Sequence, residues 1–148
     1  MPNWCDSELV VQVSDSDNDK AKEQLKEFKE FAQKKEGDGV SLLSAEKFIP
    51  YPEGQDWNYD WCVKNWGSKW DLCEVEIVGE DESYTEYSFN TAWSPVKDVI
   101  LAMSNKFPLL EFDYRYFEMG CGFNGMLRCK AGVVLGEGEG DYFGSRGG

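Results

Sequence analysis

Leu9, Val11 and Val13 recur at every second position, the period of a strand that buries one face, and predict a strand over residues 4–13. Residues 14–18 then offer several side chains able to cap a helix. Ala21, Leu25, Phe28 and Ala32, spaced i, i+4, i+7 and i+11 with Phe31 beside them, give the helix its apolar stripe. Lys34 and Lys35 are expected in its last turn, Gly37 as its C′ residue, and Glu30 and Lys34 as an i,i+4 pair. From residue 38 to 70 the periodicity is lost. Pro50 and Pro52 break an extended segment, Trp57, Tyr59, Trp61, Trp66 and Trp70 crowd together, and the spacing of Trp57, Trp61 and Asn65 predicts a short helix stopped by Gly67.

Residues 72–78 and 84–91 alternate again, joined by the polar run Gly79, Glu80, Asp81, Glu82, and predict a hairpin. Cys73, Val75 and Ile77 face one way and Glu74 and Glu76 the other, while Tyr87 and Phe89 oppose Glu86 and Ser88. Ser94 and Pro95 start a second helix with Val96, Val99, Ile100, Met103 and Phe107 on one stripe, ended by Pro108. Leu110, Phe112, Tyr114 and Tyr116 then alternate with charged residues, and residues 123–131 pair back on them. The order β, α, aromatic insertion, β, β, α, β, β is that of an α+β, ferredoxin-like split βαβ antiparallel sheet with two helices on one face and an extra C-terminal strand. The expected organisation is one domain over residues 1–136, with the insertion at 38–70 and a Gly-rich flexible tail at 137–148.

The chain has 148 residues, of which 41% are hydrophobic and 15% aromatic, enough for a packed core. A net charge of -13 opposes attraction to nucleic acid or an anionic membrane, so the expected partners are proteins or small molecules. No apolar stretch approaches the roughly 20 residues that span a bilayer. The absence of His removes Ser-His-Asp, Cys-His and HExxH chemistry. Five Cys (5, 62, 73, 121, 129) without a CxxC pair read as reduced, buried cytoplasmic thiols, and neither a metal nor another cofactor is expected.

Several strings resemble the YubB-like ferredoxin-like domain family of bacteriophages and plasmids, most of whose members are uncharacterised. They are Met1-Pro2-Asn3-Trp4-Cys5, Asn65-Trp66-Gly67-Ser68-Lys69-Trp70-Asp71, Phe89-Asn90-Thr91-Ala92-Trp93-Ser94-Pro95, and Tyr116-Phe117-Glu118-Met119-Gly120 with Phe123 and Gly125. The resemblance spans about residues 1–125 and leaves the Gly-rich tail outside. It implies a ferredoxin-like fold and a mobile-element origin, and it brings no established activity.

Two constellations carry chemistry. Between Trp70 and Val96 there are seven acids and no base. Glu74, Glu76, Glu80, Asp81, Glu82 and Glu86 would form a row of negative charge on the open face and its hairpin, able to imitate a phosphate backbone to a basic protein; the plain alternative is a solvated, aggregation-resistant edge. The second is an aromatic cluster, in which Trp61, Asn65, Trp66, Lys69, Trp70, Asp71, Trp93, Tyr116 and Glu118 would stack a planar or cationic ligand and hold its polar edge. Asp71 and Glu118 would there pair as acid and base of a hydrolase; the plain alternative is a mini-core of large rings whose polar residues satisfy turns. The leading expectation is a non-enzymatic mobile-element accessory protein that binds a host protein, an antidefence inhibitor of a basic nucleic-acid enzyme. A ligand-binding domain or carboxylate-dependent hydrolase is the rival, and a homodimer through the open sheet the third option.

Overall fold

In β1 (Trp4–Val13) Cys5, Leu9 and Val11 are fully buried and Ser7 nearly so, while Trp4, Asp6, Glu8, Val10 and Gln12 point to the opposite face. This strand organises the rest. In the computed structural model, which describes residues 4–14, 18–118, 120 and 122–141, β1 is followed by α1 (Asp19–Phe31), β2 (Lys34–Glu36), β3 (Gly39–Ser41), a 3-10 turn (Ala45–Lys47) and α2 (Tyr59–Trp66). Then come β4 (Cys73–Glu80), β5 (Tyr84–Ala92), α3 (Lys97–Lys106), β6 (Leu110–Glu118), β7 (Phe123–Lys130) and β8 (Val133–Asp141).

Six strands form one sheet in the order β4-β5-β1-β6-β7-β8, every neighbouring pair antiparallel. The connection from β1 through α1 to β4 straddles β5, and that from β5 through α3 to β6 straddles β1. These are the two split βαβ units of the ferredoxin-like fold, now extended by β7 and β8. α1 and α3 cover one face. Phe28 stands at the centre of the core, stacked on Phe48 at 5.5 Å and edge-on to Phe107 at 5.2 Å and Phe112 at 5.6 Å. The fully buried Tyr114 ties the sheet to α3: its hydroxyl pairs with Ser7 Oγ at 3.0 Å and accepts the Val96 N–H at 3.2 Å.

α2 begins only at Tyr59, capped by Asn58, so Trp57 of the expected helical spacing lies outside it, and three further boundaries differ from the sequence reading. α1 ends at Phe31, and Lys34 to Glu36 turn back as a hairpin with β3, so Gly37 supplies positive φ (56°) to the hairpin turn rather than a helix cap. Lys34 pairs with Glu46, not Glu30. α3 starts at Lys97 with Val96 at the N-cap position, because the Ser94 carbonyl is taken by the Thr91 hydroxyl at 2.6 Å in a tight turn and the Val96 N–H goes to the buried Tyr114 hydroxyl. The third difference is the largest: residues 137–141 of the expected tail belong to β8, while residues 142–148 lie outside the described residues. The repeat Gly136-Glu137-Gly138-Glu139-Gly140 has the period of a strand, and its carboxylates are held from the helix side by Lys97, at 3.7 Å from Glu137 and 4.0 Å from Glu139, and by the Tyr116 hydroxyl, which donates to Glu139 at 2.8 Å.

Tyr116 reaches Glu139 by lying across Gly125, where its ring occupies the space a Cβ would fill. Gly125→Val is therefore expected to displace Tyr116, break its bond to Glu139 and lower unfolding free energy by about 1–3 kcal/mol in urea denaturation.

Candidate functional site

The helices leave the other face of the sheet open, and strand register decides which side chains share it. They are Glu74 and Glu76 on β4, Glu86, Ser88 and Asn90 on β5, Trp4, Asp6, Glu8 and Val10 on β1, Glu111, Asp113 and Arg115 on β6, and Arg128 and Lys130 on β7. Glu8, Val10, Glu86, Asp113 and Arg115 line a shallow depression of about 200 Å3. Glu74 sits at a bulge with φ 52° and accepts the Asn90 side-chain N–H at 2.9 Å. Charge divides across the face. β4, β5 and β1, three adjacent strands, contain no Lys or Arg, yet they project Glu74, Glu76, Glu86, Asp6 and Glu8.

The bases stand on β6 and β7, where Arg128 bonds Glu111 at 2.5 Å and Arg115 lies 3.9 Å from Asp113. The Arg128 guanidinium, helped by the Ser14 hydroxyl, holds the Glu111 carboxyl below the usual carboxylate range against the opposing effect of burial. A folded-state pKa below the unfolded value of about 4.3 means this pair adds stability above that pH and loses it as pH falls through the folded value. In melting curves between pH 5 and pH 3, Glu111→Gln should show a shallower acid loss of Tm than the parent chain.

The six acids predicted to form one row separate into two groups. Glu74, Glu76 and Glu86 share the open face. Glu80, Asp81 and Glu82 lie at the hairpin tip beside α1: Glu80 is 3.1 Å from Lys29 and Glu82 3.4 Å from Lys22. Asp81 accepts both the N–H and the hydroxyl of Ser83 at 2.7 Å, bonds that lower its carboxyl's pKa. The tip is a latch between hairpin and helix, because α1 places Lys22 and Lys29 two turns apart on the stripe that faces it.

The residues expected to form a ligand cluster lie in several places. Trp66 is buried under Tyr51 and Trp61, both at 5.2 Å, and donates its indole N–H to the Ile49 carbonyl at 2.8 Å. Asn65 donates to the Trp61 carbonyl of its own helix. The Asp71 carboxylate caps the 3-10 turn, accepting from Ser44 Oγ at 2.5 Å, Ala45 N at 2.6 Å and Leu72 N at 2.7 Å. Trp70 packs on Trp4 at 6.0 Å with the Lys69 ammonium 4.9 Å from its ring, at the end of the open face. Trp93, half exposed, follows β5 with φ 76°, a strained conformation for a bulky residue, one position beyond Trp4's strand partner Ala92. Tyr116 faces Glu139. Glu118 is fully buried opposite Cys5 and accepts the Gly120 N–H at 2.8 Å. Burial, reinforced by Glu118 and Asp6, pushes the Cys5 thiol up to about 12, so it serves as a packed, protonated side chain. Cys62 and Cys129 are buried as well, and Cys121 lies outside the described residues.

The open face also gathers Trp4, Asp6, Glu8, Glu111 and Asp113, which were not singled out from sequence. The signal was available in β1 and β6: positions opposite in parity to Leu9, Val11, Phe112 and Tyr114 share the other face.

Layering and topology define an α+β ferredoxin-like domain with an extended, half-open sheet. Residues 66–144 match the family model described as the ferredoxin-like domain in Api92-like protein, and the chain belongs to that family. The match runs through β8, past the point where the resemblance read from sequence stopped. A 79-residue stretch is 32% identical to the uncharacterised protein YubB of Escherichia coli strain K12, covering 52% of this chain and 54% of that protein. The chain thus spans about half the length of the curated relative it matches. The crystal structure of protein api92 from Yersinia pseudotuberculosis shares the fold at a TM-score of 0.56 and 16% identity, over 65% of this chain and 39% of that one. Among the described residues, no helix is long and apolar enough to cross a membrane.

Proposed function

We propose that this chain is a non-enzymatic accessory protein of a phage or plasmid. Its open sheet face docks a basic, nucleic-acid-handling protein in the cytoplasm of the bacterial host, in place of the phosphate backbone, and so acts as an antidefence inhibitor. The observation that carries the reading is the run of three neighbouring strands with five outward carboxylates and no base. On a pleated sheet such groups repeat about every 6.8 Å along a strand and about 4.8 Å between strands, a dense negative lattice that complements a groove lined with Lys and Arg. Trp4 at the end of the same face offers an aromatic surface on which an Arg can stack. The same repulsion between carboxylates disfavours a homodimer through this face. Asp71 and Glu118 both spend carboxylate oxygens on main-chain N–H groups, which favours a structural over a catalytic role for each.

The test is a tagged pull-down from bacterial lysate read by mass spectrometry at low and high salt. A basic nucleic-acid enzyme should be retained at low salt and released at high salt. A partner held equally at both, or one without a basic surface, would overturn the reading.

A further inference from the structure

We propose that the outer edge of β8 receives a seventh strand from the partner, an extended segment in which basic residues alternate with large apolar or aromatic ones. The inference rests on the reading of the partner as a basic protein but uses a surface separate from the acidic strands. The two sheet edges differ. β4 is blunted by irregularities between Cys73 and Glu76 and between Ile77 and Gly79 and by the left-handed Glu74. β8 is nine residues long, pairs in unbroken register with β7 from Gly136 to Asp141, and among the described residues no strand pairs with its other edge. Such an edge is a template for strand addition.

The two faces of β8 set what an added strand must carry. On the helix side Glu137 and Glu139 are each about half exposed, and the single Lys97 serves both. Negative charge therefore remains, and a Lys or Arg directly across would neutralise it. On the open side a Cβ added at Gly136 or Gly138 would meet nothing within 4 Å, and one at Gly140 only Asn124 Oδ1 at 4.0 Å. Gly138 and Gly140 floor a depression of about 330 Å3 walled by Arg115, Phe117, Asn124 and Met126. Large side chains of a neighbouring strand would lie over the glycines and fill it, as the ring of Tyr116 already does over Gly125 on the other face. A second copy of this chain does not fit: antiparallel β8 strands would set the rows of Glu137 and Glu139 against each other on chains of charge -13.

The probe is a synthetic hexapeptide alternating Lys with Trp, titrated into the full chain while amide hydrogen exchange is followed by NMR. Exchange should slow at least tenfold at the alternate amides of residues 136–141 that point away from β7. Two versions N-methylated at the odd or the even positions should differ at least tenfold in Kd, since only one set of amides points toward β8. A peptide with Glu in place of Lys should not bind. The variant Glu74→Lys, Glu76→Lys, Glu86→Lys should bind the Lys-Trp peptide within about twofold of the parent, so this result stands or falls apart from the open-face reading. Absent protection on β8, equal binding of both methylated versions, or loss of binding in the triple variant would each overturn the proposal.

Discussion

A chain carrying Glu74→Lys, Glu76→Lys and Glu86→Lys is expected to lose its basic partner and keep its melting temperature. The three carboxylates stand on adjacent strands of the open face, and each substitution reverses a charge where the partner presents its own. A change from attraction to repulsion at three positions corresponds to a loss of affinity on the order of 100-fold or more. Stability should change by no more than about 1 kcal/mol: at Glu74 the exposed hydrogen bond from Asn90 is lost while Lys takes the same left-handed backbone as Glu, and all three changes relieve repulsion with Asp6 and Glu8. The contrast is Glu80→Lys with Glu82→Lys. That pair faces Lys29 and Lys22 across the hairpin latch, so it should lower Tm and leave binding almost intact. Titration calorimetry and melting of both variants separate a docking face from a merely acidic molecule.

Trp66→Ala should lower unfolding free energy by about 3–5 kcal/mol, the range for deleting a fully buried large ring. Only 1% of Trp66 is exposed, and Tyr51 and Trp61 close over it. Its removal leaves a cavity and an Ile49 carbonyl without its indole donor. Trp66→Phe should fall between, keeping ring contacts but losing the hydrogen bond. Chemical denaturation of the two variants checks this. A cost under about 1 kcal/mol for Trp66→Ala would mean that the indole is not the keystone of the insertion and would return it to consideration as a ligand surface.

The split βαβ order was legible because its elements carry strong periods: Leu9 and Val11 alternate, and Leu25 with Phe28 and Val99 with Met103 repeat as helices do. The short helix closed by Gly67 was legible too, since a positive φ of 81° there suits glycine and the spacing of Trp61 and Asn65 is helical. β8 was not, because alternate glycines weaken strand propensity and only the positions of Tyr116 and Lys97, neither local in sequence, show what holds Glu137 and Glu139. The end of α1 was misread for a related reason. Lys34 looks like a last-turn cation until the fold brings Glu46 beside it.

The candidate face was half legible. Parity placed Glu74, Glu76 and Glu86 together, but charge counting alone added Glu80, Asp81 and Glu82, whose bonds to Lys29, Lys22 and Ser83 depend on how the hairpin packs against α1. Asp6 and Glu8 were overlooked because they stand far from the acidic run in sequence and next to it only across the β1 and β5 ladder. Six of the nine residues of the aromatic cluster lie within residues 61–71, yet Trp66 is needed inside the insertion, Asp71 at the 3-10 turn and, far along the chain, Glu118 at a strand end.

The most direct test is competition. A fluorescent DNA duplex bound to the retained basic enzyme is titrated with this chain at low salt, and anisotropy is followed. Mimicry through the open face requires the two to exclude each other, so anisotropy should fall to that of free DNA, and the Glu74→Lys, Glu76→Lys, Glu86→Lys variant should leave it unchanged. A ternary complex, with anisotropy rising as the chain joins enzyme and DNA, would contradict the account.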